Sequence, residues 1–501
     1  MKLAMDRFGH RVVWSLMLTA ATLSAFAAEP ATPDSAAGEM LLTNDQGQVV
    51  SSTADSVPES LRPSSAIGLK HQTPHTHRGV KLTGQALEKL DRLWADRPDF
   101  ELFPSVPPPL ASYLYSSGEF GNTAIRPGPL IDVMPLEPQI QGAKSWLSRY
   151  GLRYELEQTV TTAEMTDVVK GDDNLGNYNF DFKAKWAVFD AKGAGTAGWI
   201  STKIEYQTSL SGAQGQTART NIDSVTNPTE FWSTHSGLRV PELAWQQSFF
   251  SGKAVVLAGV ISQSNYLDAN AYAETGRGQF INSALVNSQV LPLPSYSYGL
   301  NLQWQPSSDW YSLLGYSVGN ARAGESPSTN FSWGSWSLEW EIGYAPDDFF
   351  GLGPGIYRIQ PFLARANDTE QGGLSFNLQQ QLGRHSPFGW FGRFGFGGSQ
   401  VSGGAKAQIG TGIVMQSPLK YAGWAPRLTN DTLGVGFVWS QPSATTKTVY
   451  HNNETVFETF YTLQVTPTSQ LQPDLQIVWN PAFNPDAGPA VVFQLQYILK
   501  W

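Results

Sequence analysis

The stretch that decides the fold is the last one in the chain, Ala490-Val491-Val492-Phe493-Gln494-Leu495-Gln496-Tyr497-Ile498-Leu499-Lys500-Trp501. Val491, Phe493, Leu495, Tyr497, Leu499 and Trp501 share one parity, and Val492, Gln494, Gln496, Ile498 and Lys500, largely polar, share the other. Side chains of an extended strand point alternately to opposite faces, so this segment is a strand with one apolar and one mostly polar face. The same texture runs back to about residue 145. Leu433, Val435, Phe437 and Trp439 alternate with Thr432, Gly434, Gly436 and Val438. Tyr298, Leu300, Leu302 and Trp304 alternate with Gly299, Asn301, Gln303 and Gln305, and Leu338, Trp340 and Ile342 with Glu339, Glu341 and Gly343.

Bounded by Gly, Pro, Asn and Asp turns, these segments predict about sixteen strands: 151–160, 178–189, 197–208, 240–250, 253–262, 297–306, 310–319, 334–344, 354–364, 371–381, 388–397, 404–415, 431–440, 453–466, 470–480 and 490–501. An even number of strands, each long enough to cross a bilayer when tilted, predicts an all-β protein, a transmembrane antiparallel β-barrel. A soluble sandwich also alternates, but its outer face is charged. Here one face is Leu, Val, Phe, Trp and Tyr, and the other is Gln, Asn, Ser and Gly with scattered charges. That pattern fits lipid outside and water inside. Trp304, Trp310, Trp336, Trp340, Trp439, Trp479 and Trp501 fall at or near strand ends on the apolar parity, where interfacial aromatic girdles sit.

The whole-chain figures agree. Of 501 residues only 15% are charged, against roughly 25% in ordinary globular chains, while 12% are aromatic and mean hydropathy is −0.25. Such a chain is too aromatic for disorder and too polar for a helical membrane protein. At about 150 residues per domain its length would suggest several domains, yet residues 145–501 read as one barrel. Cysteine is absent, which removes disulfides, thiolate metal sites and Cys nucleophiles. A formal charge of −9 argues against nucleic acid as a partner.

Residues 1–27 read as a secretory signal: Lys2, Arg7 and Arg11 form a basic region, Val12 to Ala25 is apolar, and Ala25-Phe26-Ala27 has the small-x-small form of a cleavage site. Residues 28–80, rich in Ala, Ser, Thr and Pro, read as a disordered or linker segment. Residues 81–144 read as an N-terminal extension, mostly irregular and Pro-rich, with one amphipathic helix over Leu82–Asp96. His71, His75 and His77 cluster in the linker without an acidic neighbour and read as a solvated tail. A secreted chain without Cys fits a bacterial envelope. No cofactor or metal is expected.

Several strings are familiar. Glu458-Thr459-Phe460-Tyr461, Gln464-Val465-Thr466-Pro467, Leu471-Gln472-Pro473-Asp474-Leu475-Gln476 and Asn480-Pro481 resemble the C-terminal end of the carbohydrate-selective porin family, the OprB type. Gly198 to Tyr206 with Lys203 and Glu205, Glu242-Leu243-Ala244-Trp245-Gln246-Gln247, Tyr266, Asp268, Phe280 and Asn282, then Glu341 to Pro346 and Gly355 to Arg358, continue the resemblance over roughly residues 145–501. Trp501 resembles the terminal aromatic of outer-membrane barrels. The resemblance implies a passive or facilitated channel for small sugars in the outer membrane of a Gram-negative bacterium, with small carbohydrates and membrane lipid as partners, as a monomer or trimer. Residues 28–142 have no counterpart in it and are a candidate contact for other envelope proteins.

The polar parities carry Arg153, Glu155 and Glu157, then Lys203 and Glu205, Glu242, Glu339 and Glu341, Arg358 and Gln360, and Glu458. Carboxylates accept from hydroxyls and guanidinium donates in fixed pairs, so mixed charge of this kind suits a neutral polar solute. The candidate lumen residues are Lys203, Glu205, Glu242, Glu339, Glu341 and Arg358, each of which can equally serve in a wall salt bridge. Ser262 to Leu293, the longest irregular stretch within the barrel region, is read as a loop folded into the lumen as a constriction, with Asp268 and Arg277 lining it. Ser211 to His235, more hydrophilic, is expected to face outward. Other small polar solutes, polysaccharide export, a structural barrel and a barrel enzyme are the competing readings. The last is disfavoured because the barrel histidines, His235, His385 and His451, fall in loops or at strand ends.

Overall fold

The computed structural model describes residues 129–131 and 137–501, apart from 149, 192–195, 213–215, 230–236, 251–252, 274–275, 319–333, 367, 384–385, 402, 445–451 and 485. The expected signal (1–27), linker (28–80), helix Leu82–Asp96, and all of His71, His75, His77, His235, His385 and His451 lie outside the described residues.

Sixteen strands follow one another: β1 (Leu152–Met165), β2 (Asn174–Ala191), β3 (Thr196–Ser211), β4 (Gly237–Phe249), β5 (Ala254–Ile261), β6 (Ser297–Trp304), β7 (Trp310–Val318), β8 (Trp336–Tyr344), β9 (Gly355–Ala366), β10 (Thr369–Gln381), β11 (Phe388–Gly397), β12 (Ala405–Gln416), β13 (Thr432–Pro442), β14 (Glu454–Thr466), β15 (Ser469–Trp479) and β16 (Ala490–Lys500). Each pairs antiparallel with its neighbours, and β1 pairs with β16 from Glu157↔Lys500 to Met165↔Val492, closing the barrel. Closure leaves no unpaired edge. The β-branched and aromatic content that favours strands is plain in β14, Glu-Thr-Val-Phe-Glu-Thr-Phe-Tyr-Thr-Leu-Gln-Val-Thr.

Parity sorts the faces as expected. On β13 Leu433, Val435 and Phe437 are exposed outward, and on β16 Gln494 and Gln496 are buried inward. Trp304, Trp310 and Trp340 are outward and exposed. Trp501 is not. It is 6% exposed and packs with Leu499, Tyr497, Leu156 and Ile140. Ile140 belongs to α1 (Glu137–Ser148), a helix where the sequence reading had irregular, Pro-rich chain up to the barrel. Pro138 stands in the first turn, where a missing N–H costs nothing. Ile140, Lys144 and Leu147 then recur at helical spacing. The backbone of Trp501 pairs with Leu156 (2.8 and 3.1 Å), so α1 covers the seam where the barrel closes. Burial in this seam holds the Lys144 amine below its usual lysine value. Leu130 and Ile131 pair by backbone with Gln464 and Val465 at the same end.

At the end bearing Leu152 and Lys500 the connections are mostly short. At the other end lie the two longest, 212–236, which contains α2 (Ala218–Asn221), and 262–296, which contains α3 (Ser283–Val286). A last short helix, α4 (Pro418–Tyr421), belongs to the first end.

Four inward glycines stand directly across from inward rings on the next strand: Gly343↔Tyr311, Gly373↔Phe362, Gly412↔Phe391 and Gly434↔Phe460. In each pair the ring lies where the glycine's Cβ would be, so aromatic bulk folds onto the wall and not into the lumen. Tyr311 donates to Glu341 Oε1 (2.6 Å) and accepts from Arg358 Nε (2.8 Å). Gly343→Ala is therefore expected to unseat Tyr311 and cost about 1–3 kcal/mol of overpacking. Heat-modifiable migration on denaturing gels, followed as a melting curve, should shift to lower temperature.

Candidate functional site

The connection 262–296 enters the barrel. Its polar backbone must be satisfied there, and inward side chains of the wall do this. Asp268 N–H donates to Glu341 Oε2 on β8 (3.0 Å), Ala271 N–H to Gln379 on β10 (2.9 Å), Gly278 N–H to Gln472 on β15 (2.6 Å) and Gln289 N–H to Gln408 on β12 (2.6 Å). Glu458 on β14 receives the N–H groups of Ile281 (2.5 Å) and Asn282 (2.9 Å) at the start of α3. Apolar anchors complete the docking. Phe280 is fully buried, its ring 5.3 Å from Phe391 and 4.8 Å from Phe460, and Leu267 packs among wall residues including Leu257 and Leu313.

The connection 212–236 departs from the outward placement read from its composition. Ala218, Asn221 and Ser224 through Thr229 are buried. Glu454 on β14 accepts from Ser224 Oγ (2.7 Å), Val225 N–H (2.9 Å) and both the N–H (3.1 Å) and Oγ1 (2.7 Å) of Thr226, while Gln476 and Gln494 donate to Pro228 O. Hydrophilicity misled because the interior of this barrel is itself polar, so a polar loop finds partners inside.

Two charged constellations result. In the first, register aligns two rungs across β16, β1, β2, β3 and β4: Lys500–Glu157–Asp181–Glu205–Arg239, and beside it Glu155–Lys183–Lys203–Glu242. Lys203 Nζ lies 3.0 Å from Asp181 and 3.5 Å from Glu205, Lys183 3.3 Å from Glu155, Lys500 2.9 Å from Glu157 and Arg239 3.3 Å from Glu205. The loop reaches this wall with the Arg277 guanidinium, 2.5 Å from Glu157 and 2.6 Å from Asp181. Three adjacent carboxylates would repel; cations from the neighbouring rung and from the loop neutralise them. Tyr296 donates to Glu205 (3.1 Å). Burial first, and this carboxylate second, push its phenol well above the ordinary tyrosine value, so it stays a donor at neutral pH.

The second constellation fixes the loop to β8–β11. The buried Asp268 carboxylate lies 3.1 Å from Arg393 Nε and accepts from Asn377 Nδ2 (2.7 Å) and Ser288 N–H (2.6 Å). Asp268 adopts φ 66°, a left-handed conformation that Asp tolerates better than most residues. Arg358 Nε lies 3.3 Å from Glu341, which also receives Gln360 (2.7 Å).

Of the sequence candidates, Lys203, Glu205 and Arg277 come together in the first constellation and Asp268, Glu341 and Arg358 in the second. Glu242 accepts from Ser201 Oγ and from Tyr266 OH (2.8 Å). Glu339 stands apart, 1% exposed, with neither carboxylate oxygen hydrogen-bonded among the described residues. Asp181, Lys183, Arg239, Arg393 and Lys500 were not singled out as candidates, although parity marks each as inward. The inward rings Tyr266, Tyr272, Tyr311, Phe391 and Phe460 are 0–8% exposed beneath the loop or against the wall. Among the described residues, the inward side chains left unburied by these contacts are charged and polar.

The model of the carbohydrate-selective porin, OprB family, matches residues 173–372 and 364–498, well over half of the chain. The chain belongs to the OprB family. Porin AaxA of Chlamydia abortus (strain DSM 27085 / S26/3) is 26% identical over 258 residues, 50% of this chain and 55% of that porin. Porin AaxA of Chlamydia felis (strain Fe/C-56) is 26% identical over 267 residues, with the same shares. The chain thus spans about half the length of the curated relatives it matches. The high pH structure of Pseudomonas putida OprB superposes with a TM-score of 0.59 at 15% identity, covering 72% of this chain and 97% of that one, a likeness of fold. OprB family and barrel together are those of a channel, not an enzyme, and imply the outer membrane of a Gram-negative-type envelope.

Proposed function

We propose that this OprB-family barrel passes small neutral sugars across the outer membrane by passive or facilitated diffusion, along the gap between the inserted loop and the wall of β16 and β1–β4. The observation that carries this reading is the pair of charged rungs crossed by Arg277. Donors (Lys203, Arg239, Arg277, Tyr296) and acceptors (Glu205, Glu157, Asp181) alternate within one small region. A neutral polyol presents hydroxyls that both donate and accept, so it can exchange water for such a surface without a net charge of its own. Each contact is shared with a wall ion pair, which keeps binding weak enough for release. Glu242, Glu341, Asp268 and Arg358 act on the sugar through the loop and wall they hold in place, and Glu339 belongs to the same inward face of β8 without such a tie among the described residues. A cleaved signal (1–27) and a preceding extension available to envelope partners complete this reading, as does a monomeric or trimeric assembly.

Liposome swelling tests it. Hexoses and disaccharides are expected to enter faster than amino acids of matched size. Equal rates would overturn the sugar reading. Glu341→Gln keeps the shape of the side chain but withdraws the charge facing Arg358, and sugar flux is expected to fall severalfold. An unchanged flux would remove the Glu341–Arg358 pair from the account of selectivity.

A further inference from the structure

On the charged wall the two signs are not equally exposed. The Lys203 side chain is 18% accessible and that of Lys500 12%, whereas the carboxylates they face are at 0% (Asp181) and 2% (Glu157). Glu155 lies at 3% beside Lys183 at 6%. Glu205, at 10%, is the exception on this wall: it is more exposed than its partner Arg239 (7%) and less exposed than Lys203. Along the inserted loop, Arg277 (9%) stands in front of the same Glu157 and Asp181. Around the rest of the barrel the acids Asp268, Glu341, Glu454, Glu458 and Asp474 are all within 0–2% exposure, as are the cations Arg358 and Arg393, and the first four acids are engaged by loop backbone or by these two arginines.

We infer that this channel discriminates among charged solutes, favouring anionic sugars such as uronates over cationic amino sugars, with Lys203 and Lys500 as the residues that set the preference. Ion pairs oriented with the carboxylate in the wall and the ammonium toward the water form a dipole layer whose positive end meets the solute. Each ammonium has three donors, and the neighbouring carboxylates occupy its wall side. A carboxylate on a passing sugar can therefore accept from Lys203 or Lys500 with their own partners undisturbed. An ammonium must instead displace them or approach like charge. Many acids also stand exposed at the barrel rims, Glu164, Asp173 and Asp368 among them. They act across water and lose most of their reach in strong salt, where the Debye length shrinks to about 3 Å; charges lining a narrow gap keep theirs. The inference rests on the reading of this gap as the conducting path.

The test is the zero-current potential of the full-length protein in planar bilayers across a gradient of concentrated KCl, with liposome uptake of glucose, glucuronate and glucosamine alongside, in buffer acidic enough to keep the amine charged. Chloride is expected to permeate more readily than potassium, and glucuronate more readily than glucosamine. Lys203→Gln and Lys500→Gln should each lower the chloride-to-potassium ratio by about twofold, the scale of a unit charge a few ångströms away in water and partly cancelled by its partner. Lys203→Glu should reverse the preference. Potassium permeating at least as well as chloride in the unmodified protein, or glucosamine outrunning glucuronate, would overturn the inference without any variant having to fold. A ratio indifferent to both lysine substitutions would overturn the assignment of residues. Failure of the sugar reading looks different: glucose entering no faster than amino acids of its size, whatever the ion ratio.

Discussion

Replacing residues 264–293 by a short Gly-Ser linker is expected to raise single-channel conductance severalfold and to erase discrimination between sugars and other solutes of like size. Barrels of sixteen strands leave an aqueous channel when nothing fills them, and here connection 262–296, with residues 217–229 beside it, occupies the interior. The barrel itself should survive. Its ladder is closed from β1 to β16 without any contribution from the loop, and the carboxylates that the loop now covers, Glu341 and Glu458, would be rehydrated by lumen water and not stranded in a dry core. Conductance in planar bilayers, with heat-modifiable gel migration as the check on folding, measures both parts. Conductance at or below that of the intact protein would mean that the loop does not set the narrowest point.

The second large effect is expected from a single side chain. Phe280 carries no charge and touches no part of the proposed sugar path, but its ring is fully buried against Phe391 and Phe460. It lies directly over Gly436. Phe280→Ala should loosen loop docking by about 3–5 kcal/mol, the cost of losing a buried aromatic together with the cavity it leaves. Because the loop is also tied by Asp268, Glu341 and Glu458, the outcome is a mobile loop in an intact barrel: flickering conductance of higher mean, and new protease cleavage between β5 and β6. A quiet channel of unchanged conductance would show that the polar ties alone suffice. Phe280→Leu, which keeps most of the volume, should lie close to the unmodified protein.

These two expectations separate what is local in this protein from what is not. Strand positions were readable because alternation is a backbone property: once one parity of Val491 to Trp501 is apolar, the other must face away from it, and all sixteen segments recur in the structure within a few residues of their expected ends. The same parity makes Lys203, Glu205, Glu341 and Arg358 inward residues. It cannot say which of them meet. Lys203 faces Asp181, and Arg358 faces Glu341, through barrel register, and register is set by fifteen connections and the closing β1–β16 pair acting together. α1 was missed because its Pro and its single Gly read as loop, and its helical spacing is short; what stabilises it is the barrel seam at Trp501, a partner remote in sequence.

By itself, then, the sequence determined the class of fold, the number of strands, which side chains look inward and, through its C-terminal strings, the family. The tertiary structure alone decided that residues 217–229 turn inward onto Glu454, that inward rings fold over glycines, and that Arg277 of the inserted loop pairs with Glu157 and Asp181 on the wall. The physical reason is that alternation needs only neighbouring residues, whereas charge pairing, loop docking and relative exposure arise between strands that only closure of the barrel brings together.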